Sequence, residues 1–185
     1  MLEYACGLLP LEVTGVGLNG PVRTESHTRF AGVLARHQRR VVLVREEHPS
    51  WGGAYWNIPS GRIEEHESPP EGARRELAEE TGLVVPLAGL VLQSTCVTVS
   101  AQNVSRAWNF SVDVDDPALR GSDPDGLIQD ARWFSAEEAV RLLHDLPYRP
   151  LSEPAVAILT EQSSVGAHWA YPDPTAEPTI TVREP

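Results

Sequence analysis

Lysine is absent from all 185 residues, so each of the fifteen cationic side chains is an arginine. Any direct phosphate contact from a cationic side chain must then come from an arginine, whose planar fork suits phosphate oxygens. Positive charge is scarce overall, since 26 acids leave a formal net charge of −11. Without a basic stripe to meet a phosphate backbone, a nucleic-acid polymer is not expected as a partner. Cysteine is scarce too: Cys6 and Cys96 are the only thiols, which argues against a disulfide-built scaffold. No window approaches the ~20 apolar residues of a membrane span. The first residues carry neither a basic n-region nor a long apolar run, so no secretory signal is expected, and a cytoplasmic, reducing setting is. No internal repeat is visible, and the length fits one domain with a sizeable core.

What is present concentrates in one stretch, Ile58 to Leu83. Ser68 is a good N-cap, Pro69 suits the first helical position, and Glu71 stands where a capping box wants its carboxylate. Gly82 is placed to end the helix in the left-handed conformation. The spacing predicts a helix from about Pro69 to Thr81. Glu76, Glu79 and Glu80 fall at i, i+3 and i, i+4, which puts three carboxylates on one face. Like charges so spaced cost roughly 0.2–0.5 kcal/mol per pair. Two of them also crowd the helix end where the macrodipole favours cations. A divalent cation removes both objections, because hard cations take carboxylate and phosphate oxygens together. Spacing alone leaves a solvated acidic face equally open.

The full pattern narrows that choice. Gly61, Glu67, Arg75-Glu76-Leu77, Glu79-Glu80, Gly82 and Leu83 match the box G-x5-E-x7-R-E-U-x-E-E-x-G-U, with U aliphatic, at every fixed position. The chain therefore resembles the Nudix hydrolases. Ser60 departs from the second glycine that many members carry there. The resemblance implies an α/β (α+β) fold, a mixed β-sheet sandwiched between helices. It also implies a reaction in which water attacks one phosphorus of a diphosphate.

By the same resemblance, Glu76, Glu79 and Glu80 hold Mg2+ (or Mn2+), joined by a backbone carbonyl of the Ser60–Gly61 turn. Glu76 is the first choice for the general base, and Arg75 and Glu67 orient the carboxylates. Asp130 lies where the family often supplies a further acid. Arg45 and Arg62 are candidates for a phosphate contact, and Trp51 and Tyr55 for stacking on a base. Trp56 and Trp108 are further stacking candidates, although aromatics next to strands are mostly core and Trp56 in particular reads as structural. His27, His37 and His66 are not spaced as ligands.

Along the chain, residues 1–28 are a weakly patterned extension, with an optional strand inside Val13–Leu18. Residues 29–162 make the expected catalytic domain. Phe30–Ala35 and Val41–Arg45 read as a hairpin. Leu87–Val99 and Trp108–Val114 read as a strand pair connected by Ser100–Ala107. After an acidic loop, Asp115–Gly126, come a strand at Asp130–Phe134 and a helix capped by Ser135 and Glu138. Ser152 to about Gln162 reads as a last helix. Residues 163–185, polar and proline-rich, read as a mobile or surface-lying tail.

The expected substrate is a small-molecule diphosphate, a nucleoside triphosphate or a nucleoside diphosphate derivative, with no membrane partner. A homodimer is compatible with the N-terminal extension. Two alternatives keep the fold and change the outcome: a ligand-binding module without turnover, and an enzyme like the prenyl-diphosphate isomerases.

Overall fold

The computed structural model describes residues 26–101, 103–121, 123–124 and 126–182; the optional strand within Val13–Leu18 lies outside these residues. The described residues open with β1 (Ser26–His37) and β2 (Arg40–His48), joined by a tight turn in which Gln38 takes φ 56°. Then follow β3 (Gly53–Asn57), β4 (Ser60–Arg62) and α1 (Pro69–Thr81). A 3-10 turn, Leu87–Gly89, leads to β5 (Val91–Val99) and β6 (Asn103–Asp113). The rest comprises β7 (Ile128–Ser135), α2 (Ala136–His144), α3 (Arg149–Leu159), β8 (Ala167–Tyr171) and β9 (Thr179–Val182).

The strands form one mixed sheet in the order β3-β2-β1-β6-β5-β8-β9, with β7 paired to β2 and β4 to β1. Along one edge β1 changes partner. It meets β2 at Arg36 and His37, then β4 at Phe30 to Gly32. Along its other edge it runs parallel to β6 from Ser26 to Arg36. Both faces are covered, and strand alternation divides the core accordingly. Ala31, Val33 and Val42 pack towards α1 with Leu77 and Phe110. Leu34, Val41 and Leu43 pack towards α2 and α3 with Leu143 and Ile158. Burying one such aliphatic side chain contributes about 1.5–3 kcal/mol, so α1 is held chiefly by its packed face and not by its acid-rich surface. The α+β architecture is the one expected.

Three expectations need correction. Strand β6 begins at Asn103, five residues before Trp108, because its parallel pairing with β1 extends the ladder down to Ser26. Helix α3 begins at Arg149 and not Ser152: Pro150 occupies its first turn, where a missing N–H costs nothing, and a second proline, Pro154, hides the rest of its pattern. The supposed tail contributes two strands. β8 runs parallel to β5 and β9 antiparallel to β8. The reason is burial: Ala167, Trp169 and Tyr171 alternate inward and pack on α3 and Cys96.

Candidate active site

Helix α1 starts and stops as its sequence requires. The Glu71 carboxylate accepts the Ser68 N–H at 2.8 Å. Gly82 ends the helix at φ 77°, its N–H donating to the Ala78 carbonyl at 2.8 Å. Just there the acidic loop crosses the helix end, and Arg120 N–H donates to Thr81 O at 2.8 Å. A Cβ on Gly82 would lie 2.7 Å from the Arg120 carbonyl carbon, so both φ and the crossing demand glycine. No basic side chain occupies the last turn of α1.

One guanidinium organises the acids. Arg75 Nε and Nη2 donate to the two oxygens of Glu67 at 2.8 and 2.9 Å. Its Nη1 donates to Glu76 Oε1 at 2.8 Å and to Glu79 Oε2 at 2.9 Å. Nη2 also donates to the Arg62 carbonyl at 2.8 Å, tying the helix to the end of β4. Hydrogen bonding from Arg75 holds the Glu67 carboxyl below the usual range, and those acids in turn raise the Arg75 pKa.

Glu80 has a different environment. It is only 7 % exposed, and its Oε2 accepts the Ser60 backbone N–H at 3.0 Å. Burial first, then the nearby Glu76 and Glu46 carboxylates, push its pKa well above 4.5. Gly61 lies directly on Glu76: a Cβ there would stand 2.3 Å from Glu76 Cδ. Among the described residues no three His, Cys, Asp or Glu side chains already converge as a ligand cluster. Glu76 and Glu79 are drawn to Arg75, and Glu80 to Ser60. The donor chemistry nevertheless fits a hard divalent cation, being carboxylates beside backbone carbonyls. The mutual repulsion that raises Glu80 is also what such an ion would relieve.

These residues open onto a cavity of about 1030 Å³. Glu46, Glu76, Glu79, Glu80 and Asp123 give it an acidic side, with Arg62 and Trp51 also in its wall. Trp51 packs 4.9 Å from the His48 ring. The β1 and β6 strands form the floor, and β5 with the start of α3 the far wall. Cys96 lines that wall; burial pushes its thiol up to about 11, which leaves it protonated at neutral pH.

Other candidates fall elsewhere. Arg45, Tyr55 and Asp130 line a separate recess of about 620 Å³, with Trp56 and Arg132. Arg45 and Glu46 are successive on β2 and turn to different faces, and Asp130 pairs opposite Arg45. Asp130 is salt-bridged to Arg132. Arg45, Tyr55 and Asp130 are thus not brought to the glutamates. Trp56 packs edge-on to Phe134 at 4.8 Å, and Trp108 lies beneath the Arg29 guanidinium at 5.7 Å. His37 Nδ1 is 2.8 Å from the Val114 carbonyl, and His27 lines the main cavity.

Among the cavity residues that escaped sequence reasoning are Glu46, Asp123 and Tyr148. For Glu46 a signal existed, because strand alternation puts it opposite Arg45, but alternation does not say which face meets the box. Asp123 sits in the acidic loop that Arg120 anchors on α1.

A family model described as the NUDIX domain matches residues 25–154. The chain belongs to this family. A NUDIX hydrolase from Nitrosomonas europaea shares the fold at a TM-score of 0.63 and 18 % identity, over 80 % of each chain. The putative 8-oxo-dGTP diphosphatase 3 of Mycobacterium tuberculosis (strain ATCC 25618 / H37Rv) is 31 % identical over 127 residues, 65 % of this chain and 56 % of that one. An octanoyltransferase of Myxococcus xanthus is 46 % identical over 70 residues, 38 % of this chain and 18 % of that protein. The NUDIX chain thus spans little more than half of the one curated relative and under a fifth of the other. The β8–β9 hairpin of this NUDIX protein lies beyond the residues that the family model matches. Among the described residues no helix is long and apolar enough to cross a membrane.

Proposed function

We propose that this NUDIX protein is a metal-dependent hydrolase of a diphosphate linkage in a nucleoside triphosphate or a nucleoside diphosphate derivative. The observation that carries the reading is the gathering of Glu76 and Glu79 on Arg75, itself held by Glu67, with Glu76 and Glu79 beside the buried Glu80 at one side of a single cavity. Glu76, Glu79 and Glu80, with a backbone carbonyl of Ser60 or Gly61, would hold Mg2+ (or Mn2+). That ion would neutralise phosphate charge and acidify water when bound.

The chain's own residues do the rest. Glu76 accepts the proton as the water oxygen bonds to one phosphorus and the P–O bond to the bridging oxygen breaks. The departing half leaves as a phosphate or phosphate ester. Arg75 fixes the Glu76 and Glu79 carboxylates, and Glu67 fixes Arg75. The Glu80 contact with Ser60 N–H keeps the box turn against the helix end. Arg62, in the cavity wall, is available to the substrate's phosphates, while Trp51, in the same wall, packs against the His48 ring. Arg45, Tyr55 and Asp130 have no part in this reading, because they line the other recess.

The test is 31P NMR of a panel of nucleoside triphosphates, nucleotide sugars and dinucleotides, each with Mg2+ and with Mn2+. Two phosphorylated products from at least one substrate are expected. Unchanged spectra throughout would leave a binding module, and a rearranged diphosphate would indicate an isomerase.

A further inference from the structure

The cavity has two chemically distinct sides. Strand pairing sets their order across the sheet: β4, β1, β6 and β5 lie side by side. The β4 side meets the glutamates. On the β6 and β5 side the lining residues are Asn103, Ser105, Ala107 and Asn109 of β6 and Cys96 and Thr98 of β5, none of them charged and most of them polar. Their spacing is two, as strand alternation requires for one face. Tyr148 closes this side from the N-cap of α3, lining the cavity together with Thr98 and Ser105.

Tyr148 stands next to a clasp built outside the cavity. Arg149 Nε donates to Glu153 Oε1 at 2.6 Å. Its Nη1 donates to the Thr175 carbonyl at 3.1 Å and its Nη2 to Glu177 Oε1 at 3.0 Å. Tyr171 Oη donates to the other Glu153 oxygen at 2.7 Å. One guanidinium therefore joins the first turn of α3 to the segment between β8 and β9. Tyr171 and Trp169 on β8 pack with Ala157 of α3 and Cys96 of β5 behind the same wall. The neutral wall is thus supported by residues 167–177, which lie outside the matched family region.

We propose that the β8–β9 hairpin is a specificity element: through the Arg149–Glu153–Tyr171 clasp it positions Tyr148 so that the neutral side of the cavity receives the uncharged nucleoside half of the substrate. The inference rests on the reading of the acidic side as the diphosphate site. Arg149, Glu153 and Tyr171 are positioning residues, because none of them lines the cavity. An uncharged half with hydrogen-bonding edges matches amide and hydroxyl partners, which can each donate and accept. The rival account is that the clasp merely fastens the end of the chain.

Calorimetry separates the two. The probes are α,β-methylene-dGTP, which has both halves, and inorganic tripolyphosphate, which has only the charged one, each titrated with Mg2+ present. In Arg149→Met and Tyr148→Phe the Kd for the nucleotide analogue should rise about five- to tenfold, the size of one lost hydrogen bond. The Kd for tripolyphosphate should stay as in wild type. Tyr171→Phe keeps the ring and removes one hydrogen bond, and should move the nucleotide Kd in the same direction without moving the other. Equal weakening of both probes, or of neither, overturns the proposal. So does a wild-type protein that binds tripolyphosphate and not the nucleotide analogue. Because the comparison reads binding, wild-type binding without any turnover would sink the hydrolase reading while these variants still decide the clasp.

Discussion

Gly61 and Glu76 touch: a single carbon added to the glycine would overlap the glutamate's carboxyl group, 2.3 Å from its Cδ and 2.4 Å from both oxygens. The box turn and the box helix are therefore built against each other, and the glycine leaves the space that the proposed general base occupies. Gly61→Ala should leave the fold in place, since the clash is with the far end of a flexible side chain. Turnover should fall about a hundredfold or more, the lower end of what a positioned general base contributes. Circular dichroism with steady-state rates tests this, and an alanine variant with undiminished turnover would contradict it.

Arg75 makes five hydrogen bonds to Glu67, Glu76, Glu79 and Arg62, and no ammonium group can reproduce that fork. Arg75→Lys keeps the charge and loses the geometry. The Mg2+ concentration that half-activates the proposed turnover should rise about 10- to 100-fold, as when other orienting partners of ligands are removed. An unchanged Mg2+ requirement would reduce Arg75 to a surface ion pair.

The two faces of β2 and its partner β7 predict opposite outcomes for Asp130 and Glu46. Asp130, paired opposite Arg45, lies in the smaller recess and is bridged to Arg132. Asp130→Asn should leave kcat/KM within about a factor of two, a loss below 0.5 kcal/mol. Glu46 lines the main cavity, accepts from Asn57 Nδ2 at 3.2 Å and is raised chiefly by burial. Glu46→Gln should lower kcat/KM about tenfold or more, close to 1.4 kcal/mol. The reverse ranking would return Asp130 to the site.

The metal-free protein should be less stable at neutral pH than at mildly acid pH. Glu80 is raised by burial and by the Glu76 and Glu46 carboxylates. Its folded value lies above its unfolded one, so its contribution is fully present below about pH 4.5 and is lost as pH rises through the folded value. Thermal melts in EDTA should show Tm falling across that window, with Mg2+ restoring part of the loss at neutral pH. Glu80→Gln should flatten the dependence, raise the metal-free Tm at neutral pH and abolish turnover. A variant with the wild-type pH profile would contradict this placement of Glu80.

Legibility followed the range of the interactions. Helix α1 was readable to the residue because Ser68, Pro69, Glu71 and Gly82 act within a turn or two of their own backbone. The capped start of α2 at Ser135 and Glu138 was readable for the same reason. β8 and β9 were not, because Trp169 and Tyr171 become strand residues only through pairing with β5, some seventy positions away. The box glutamates carry their own pattern, whereas Glu46 and Asp123 join them only when β2 and the loop over α1 are folded. Arg45, and Asp130 paired opposite it on β7, line the other recess because alternation separates two faces of β2, and nothing local tells which face meets the box.

The most direct test is Mn2+ binding followed by electron paramagnetic resonance, with α,β-methylene-dGTP present, in wild type and in Glu80→Gln. Wild type should titrate to a saturable protein-bound signal, and Glu80→Gln should bind at least about tenfold more weakly, a difference near 1.4 kcal/mol. Equal Mn2+ affinity in the two proteins would contradict the claim that the crowded carboxylates of α1 exist to hold a cation against a diphosphate.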